Sequence, residues 1–433
     1  MAFATAVAMW AAGYFGRIPP PEGWLPPAGL MIALIAIQLL AGMMLARSTA
    51  AKPADAVLGG MGTALINLLI LGSLLREDHT STDVLMGAGG LLAMSAILAL
   101  AGYGIGRLTW RHPVDSINWT GTIACVAATA TFILVIAGGL VTGHEAGLAV
   151  VDWPNTQGRL MFLYPLSRMT GGVYYEHAHR LYGALVGLTT IALAFQIWRE
   201  RSWRDRSLSL LALAAVVLVI VQGILGGLRV TGEFTLSADA LQTRPNLALA
   251  IVHGVLAQIF FAIMVSLAAM TTTSWSIRRN TVAHPSAASD QGLSTGLVGI
   301  LLLQLLLGAL YRHLSGAQEI SRGMIHGILG LHIVVAALVL AWALLQGIRQ
   351  CTVYRAQPII RRLGFLQLIA VNLQVMLGVI ALITVFSRNP EQPIPSIEVI
   401  VTTMHQATGA LLLAIAVLSA AWLRRVVVGG AAD

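Results

Sequence analysis

Residues 174–198 read YYEHAHRLYGALVGLTTIALAFQIW, in which a polar opening gives way to eighteen residues without a charge, 181–198. An apolar run of about 20 residues is what a helix needs to cross a hydrocarbon core of roughly 30 Å. The opening therefore lies at a membrane edge, and it places Glu176 and His179 in the first turns of a membrane helix. A histidine inside a span is costly unless it faces a helix bundle and finds a partner there, so such a residue points to function.

Runs of the same kind recur outward along the 433-residue chain. Eleven are read, at 28–46, 56–75, 84–106, 118–142, 175–198, 207–228, 246–270, 294–312, 324–347, 363–386 and 397–423. Composition agrees: 57% of residues are apolar and 10% charged, against about 25% charged in soluble domains. The chain is read as an all-α polytopic membrane protein.

A net charge of +8 follows from orientation and does not call for a nucleic-acid partner. With loops assigned alternately to two sides, the side holding 47–52, 107–111, 199–206, 278–279, 349–362 and 424–425 carries 16 of the 26 basic residues and 6 acids. The other side carries 10 basic residues and 12 acids. By the positive-inside rule the first side is cytoplasmic, which places the chain as a multi-pass protein of the inner (plasma) membrane. Cys125 falls in a span and Cys351 in a cytoplasmic loop, so no disulfide is expected between them. Segment 1–17 is apolar but short and is followed by Pro19, Pro20 and Pro21; a poor signal, a twelfth helix and a half-inserted stretch all fit it.

The chain repeats itself. Four histidines near helix starts are each followed four residues later by a small residue: His179 by Gly183, His253 by Ala257, His326 by Gly330 and His405 by Gly409. Gln222, Gln304 and Gln374 are each followed four residues later by glycine, and Gln222 to His253 and Gln374 to His405 are both 31 residues. Two tandem four-helix bundles result, 116–275 and 294–427, joined by a cytoplasmic linker at 276–293 and preceded by a separate module of about three helices in 1–115. With an even number of helices per repeat, the two bundles are related by a pseudo-twofold axis along the membrane normal.

All four repeat histidines enter from the outer side, at similar depth. In a four-helix bundle, cofactors sit between facing side chains, and two imidazoles on one iron make bis-histidine heme ligation. His179 pairs with His253 and His326 with His405 on this reading, giving metal ligands in the outer leaflet. Glu176, three residues before His179, either complements the helix dipole or acts on an iron-bound substrate. Arg180 either neutralises a heme propionate or marks the membrane edge. His177 points off the ligand face toward the interface; His332, six residues after His326, is expected to make a core hydrogen bond. His79, His112, His144, His284 and His313 fall in or beside loops. Three functions remain open here: an enzyme acting on heme, a diheme b-type electron carrier, and a repeat-built transporter with a histidine proton or metal path.

The run Glu176-His177-Ala178-His179-Arg180 resembles the E-x-x-H-R signature of heme A synthases. Gly138-Gly139-Leu140-Val141-Thr142 with Asp152-Trp153-Pro154, and Gln222-Gly223-Ile224-Leu225-Gly226-Gly227, resemble further pieces of that family. The resemblance covers about 118–425. It implies that His326 and His405 hold a permanent heme b, that His179, His253 and Arg180 bind the substrate heme O, and that Glu176 is catalytic. The implied reaction hydroxylates the C8 methyl of heme O twice, to a hydrate that loses water and leaves the formyl group of heme A. Implied partners are an electron-transfer protein, heme O synthase, terminal oxidase assembly proteins and the lipid bilayer. Three features depart from the pattern: no cysteine pair in the outer loop, Gly327 rather than arginine after His326, and the three amino-terminal helices.

Overall fold

A computed structural model of the chain describes residues 1–20, 22–72, 81–110, 114, 117–200, 206–231, 246–276, 281–315, 320–389 and 391–429. Arg111, Arg201, Arg204, Arg278 and Arg279, together with His79 and His112, lie outside the described residues. Eleven helices among the described residues are long and apolar enough to cross a membrane. They match the eleven runs read from the sequence, and the chain is an all-α polytopic membrane protein. Several helices outrun their apolar segments, because their ends continue beyond the apolar core into the more polar interface. Thus α11 spans Arg322–Thr352 and takes Cys351 into its last turn.

The chain forms two compact units, Met1–Leu134 with Glu145–Arg204, and Val135–His144 with Asp205–Asp433. The first holds α1 (Ala2–Gly16), α2 (Pro27–Leu45), α3 (Pro53–Ile70), α4 (Ser81–Thr109), most of α5 (Trp119–Gly143), the α5–α6 loop and α6 (Gly171–Glu200). Without a hydrophobic effect between helices in lipid, close packing of small residues has to hold them together. A Cβ on Gly42 would lie 2.1 Å from the Ala99 carbonyl oxygen, one on Gly102 2.1 Å from that of Leu39, and one on Gly60 2.3 Å from that of Ser95. Only glycine permits α2 and α3 to approach α4 this closely. The 15-residue helix α1 packs on α2, α3 and α6; at about 1.5 Å per residue it is too short to cross the core.

The second unit contains α7 (Arg206–Thr231), α8 (Leu247–Thr271), the short α9 (Thr273–Ser276), α10 (Ala287–Leu314), α11, α12 (Pro358–Ser387) and α13 (Ser396–Val426). Helices α10 to α13 pack as sequential neighbours and α13 returns to α10, closing a bundle around Leu297, Leu301, Val339, Val371 and Leu412. Short connections make consecutive helices antiparallel. One end of the bundle is tied by a buried polar cluster. The Asp290 carboxylate accepts from Arg349 Nε at 2.7 Å, from Ser286 Oγ at 2.7 Å and from Tyr354 Oη at 2.5 Å. A strand at Val282–His284 pairs in parallel with one at Val427–Gly429 and brings the segment after α13 back to the start of α10.

Candidate functional site

The first turns of α6 are fixed by the α5–α6 loop. Glu176 is 6% exposed, and Arg180, one turn on, donates Nε–H to Glu176 Oε1 at 3.0 Å. The remaining guanidinium donors reach the carbonyls of Asp152 (2.7 Å), Asn155 (3.1 Å) and Val150 (2.6 Å). The planar fork of arginine suits such multiple acceptance. With these contacts, Arg180 fastens the loop and holds Glu176.

A two-strand hairpin, Asn155–Thr156 against Arg159–Leu160, closes the loop through Gln157 and Gly158, both at positive φ. The backbone N–H groups of Gln157 and Gly158 donate to the Asp152 carboxylate at 3.0 and 2.7 Å. Partial burial pushes the Asp152 carboxyl up, but these two donors and the nearby Arg180 charge outweigh it and hold the group below its usual range. The turn therefore keeps its charged anchor until the pH falls below about 4, the ordinary aspartate value.

His177 differs from its expected interfacial place. It is fully buried, Nδ1 lies 2.9 Å from Thr156 Oγ1, and the ring packs on Tyr164 at 5.0 Å between centroids. The cause is the hairpin, which folds back over that face of α6. His179 is half-buried on the stripe it shares with Gly183, and a Cβ at Gly183 would meet nothing within 4 Å.

In the second unit one arrangement occurs three times. A glutamine and a glycine four residues later, on one helix, hold a histidine of the next. Gln222 Nε2 donates to the His253 carbonyl at 3.1 Å, and a Cβ on Gly226 would lie 3.5 Å from the His253 ring. Gln374 Nε2 lies 3.3 Å from His405 Nε2, and His405 Nδ1 lies 3.2 Å from the Gln374 carbonyl. Gln304 Nε2 reaches both His332 Nε2 and the His332 carbonyl at 3.1 Å. In His332 and His405 alike, a glutamine amide stands against Nε2.

His332, not His326, thus falls into the repeat. It lies ten residues beyond the first residue of α11, while His405 lies nine beyond that of α13 and His326 only four into α11. At about 1.5 Å per residue, His332 matches His405 in depth and His326 is shallower by nearly two turns. His332 is within electrostatic reach of His405, and His326 is exposed. The core hydrogen bond expected of His332 is present. His313, read as a loop residue, belongs to the last turn of α10, near Arg229, Arg312 and His253.

His332 and His405 fit an iron tetrapyrrole. Among the described residues, Nε2 of each is met by a glutamine amide, His332 Nδ1 is buried without a hydrogen-bond partner, and a Cβ at Gly327 or Gly330 would meet nothing within 4 Å. No group of three or more His, Cys, Asp or Glu suited to a bare metal ion exists among the described residues. A pair of imidazoles is sufficient when a macrocycle supplies the equatorial ligands. The glycines are testable. A Cβ on Gly378 would stand 2.9 Å from His405 Cε1, so Gly378→Val is expected to turn the ring and to weaken, roughly 10- to 100-fold, retention of a heme that His405 would hold, as lost support of a ligand does. Heme-to-protein ratio after purification measures it.

Relatives include the heme A synthases of Lysinibacillus sphaericus (32% identical over 117 residues, 26% of this chain and 36% of the relative), Beijerinckia indica (27% over 220, 44% and 57%) and Symbiobacterium thermophilum (29% over 197, 45% and 59%). The chain thus spans less than two thirds of each relative's length. The pattern defining the cytochrome oxidase assembly protein family, COX15-CtaA, matches residues 163–417, from the end of the α5–α6 loop to the later turns of α13, and the chain belongs to that family.

Proposed function

We propose that the protein oxidises heme O to heme A, converting the C8 methyl to a formyl group. The buried Glu176–Arg180 pair carries this reading, because it sets a fixed carboxylate one turn from His179. An electron carrier has no use for such a group. His179, His253 and Glu176 serve the substrate heme, with Arg180 acting through Glu176 and the loop. Heme b is held by His332 and His405, which replaces the pairing of His405 with His326.

The iron chemistry belongs to the heme when bound. The chain's own residues ligate, exclude water and place a base. Glu176 is the proton acceptor or the stabiliser of developing positive charge beside the substrate methyl. Arg180 holds its Oε1 in place. Electrons pass to a partner protein, and the basic loops face the cytoplasm with the histidines in the outer leaflet. Supply by heme O synthase and hand-over to terminal oxidase assembly proteins complete the proposed setting.

Heme extraction and chromatography of detergent-purified protein from cells that make heme O tests the reading. Heme b together with heme O, a hydroxylated intermediate or heme A is the expected result. Two hemes b per chain and no other heme would replace the synthase by an electron carrier.

A further inference from the structure

The amino-terminal module lies outside the family match, which begins at residue 163, yet it touches the helix that carries Glu176. Tyr174 Oη donates to the Tyr14 carbonyl at 2.6 Å, and the two rings stack at 5.6 Å with planes 5° apart. Arg17 caps the stack, its guanidinium carbon 5.6 Å from the Tyr174 ring centre. One turn earlier on α1, Trp10 sets its edge against Tyr182 at 6.4 Å. Tyr174 and Tyr182 are each 2% exposed.

With 3.6 residues per turn, Tyr174, Ala178 and Tyr182 form one stripe of α6, while Glu176, His179 and Gly183 form another about 130° round the helix. Helix α1 therefore grips the back of the two turns whose front carries the site. The α5–α6 loop holds a third side through His177 and Arg180. Aromatic pairs in stacked or edge-to-face geometry attract beyond what their area burial supplies. Two such contacts and a buried hydrogen bond set α6 against a support that the matched region does not itself contain.

We propose that the amino-terminal module is an internal brace: through Tyr14 and Tyr174, α1 fixes the height and rotation of the first turns of α6. Tyr14 and Tyr174 are positioning residues for Glu176 and His179, and the catalytic part of this inference rests on the heme A synthase reading. Among the described residues the Tyr14 hydroxyl has no hydrogen-bond partner. The ring and the main-chain carbonyl are what matter, and this sets the control.

The experiment compares Tyr14→Ala, Tyr174→Phe and Tyr14→Phe in the full chain. For Tyr14→Ala and Tyr174→Phe, kcat with heme O should fall about 10- to 100-fold, the scale of a small misplacement of a catalytic group, with KM and heme b content unchanged. Tyr14→Phe, which keeps the stack and the acceptor, should behave as wild type. Backbone hydrogen exchange gives a readout independent of turnover: in Tyr14→Ala, amides of 171–183 should exchange at least ten-fold faster, with α10–α13 unaltered. Wild-type exchange and turnover in Tyr14→Ala would overturn the brace, as would faster exchange spread through both units. If wild-type protein converts no heme O, the synthase reading fails while the exchange result still decides the brace.

Discussion

Purified His332→Ala protein is expected to contain almost no heme b, and His405→Ala likewise, whereas His326→Ala should retain about one heme b per chain. Without either of these imidazoles, the other would be left to hold the iron alone. Even support residues around a ligand are worth roughly 10- to 100-fold in affinity, and a ligand is worth more. His332 and His405 match in depth, each meets a glutamine amide at Nε2, and each packs over a glycine of the preceding helix. His326, by contrast, is exposed, in the second turn of α11. The reduced absorption spectrum and pyridine hemochrome give the content directly. Heme loss in His326→Ala with retention in His332→Ala would return the ligand role to His326.

The same pair explains how far the sequence could be read. All eleven spans were legible, since in lipid the length and apolarity of a segment are themselves the structural requirement. So was the recurrence of a glutamine, a glycine and a histidine, through the equal spacing from Gln222 to His253 and Gln374 to His405. The third member was hidden by a shorter connection: Gln304 to His332 is 28 residues, and His326 stood closer to a helix start, where the other histidines are. Depth relative to the neighbouring helix decides which imidazoles meet, and depth depends on where each helix begins. Gln304 lies ten residues before the end of α10 and His332 ten beyond the start of α11, an equality visible only once both ends are fixed. His177 was obscure for another reason. Its partner Thr156 comes from a hairpin 21 residues away, and local periodicity reports only which face a residue takes, not what folds over it. Likewise α1, short and followed by prolines, left three readings open; its aromatic contacts with α6 join residues 160 positions apart.

Glu176→Ala should keep heme b at the wild-type level while conversion of heme O falls about 10²- to 10⁴-fold, the range for loss of a general acid or base. Glu176 and the histidines of the heme b pair lie in different compact units, so retention and turnover separate. Glu176→Gln preserves shape and keeps a carbonyl oxygen as acceptor for Arg180, and it should lose turnover nearly as fully; that result would assign the effect to the carboxylate rather than to packing. Arg180→Ala is expected to do more damage. It removes the donors of the Val150, Asp152 and Asn155 carbonyls as well as the partner of Glu176, and a buried acceptor such as the Val150 carbonyl, left unpaired, costs about 1–3 kcal/mol. Turnover should fall roughly 100-fold or more, and the α5–α6 loop should become open to protease in the 150–160 region. Arg180→Lys restores charge without the planar fork; it should recover part of the turnover and little of the protection. Full protection together with lost turnover in Arg180→Ala would mean that the arginine meets the substrate itself and does not act through the loop and Glu176.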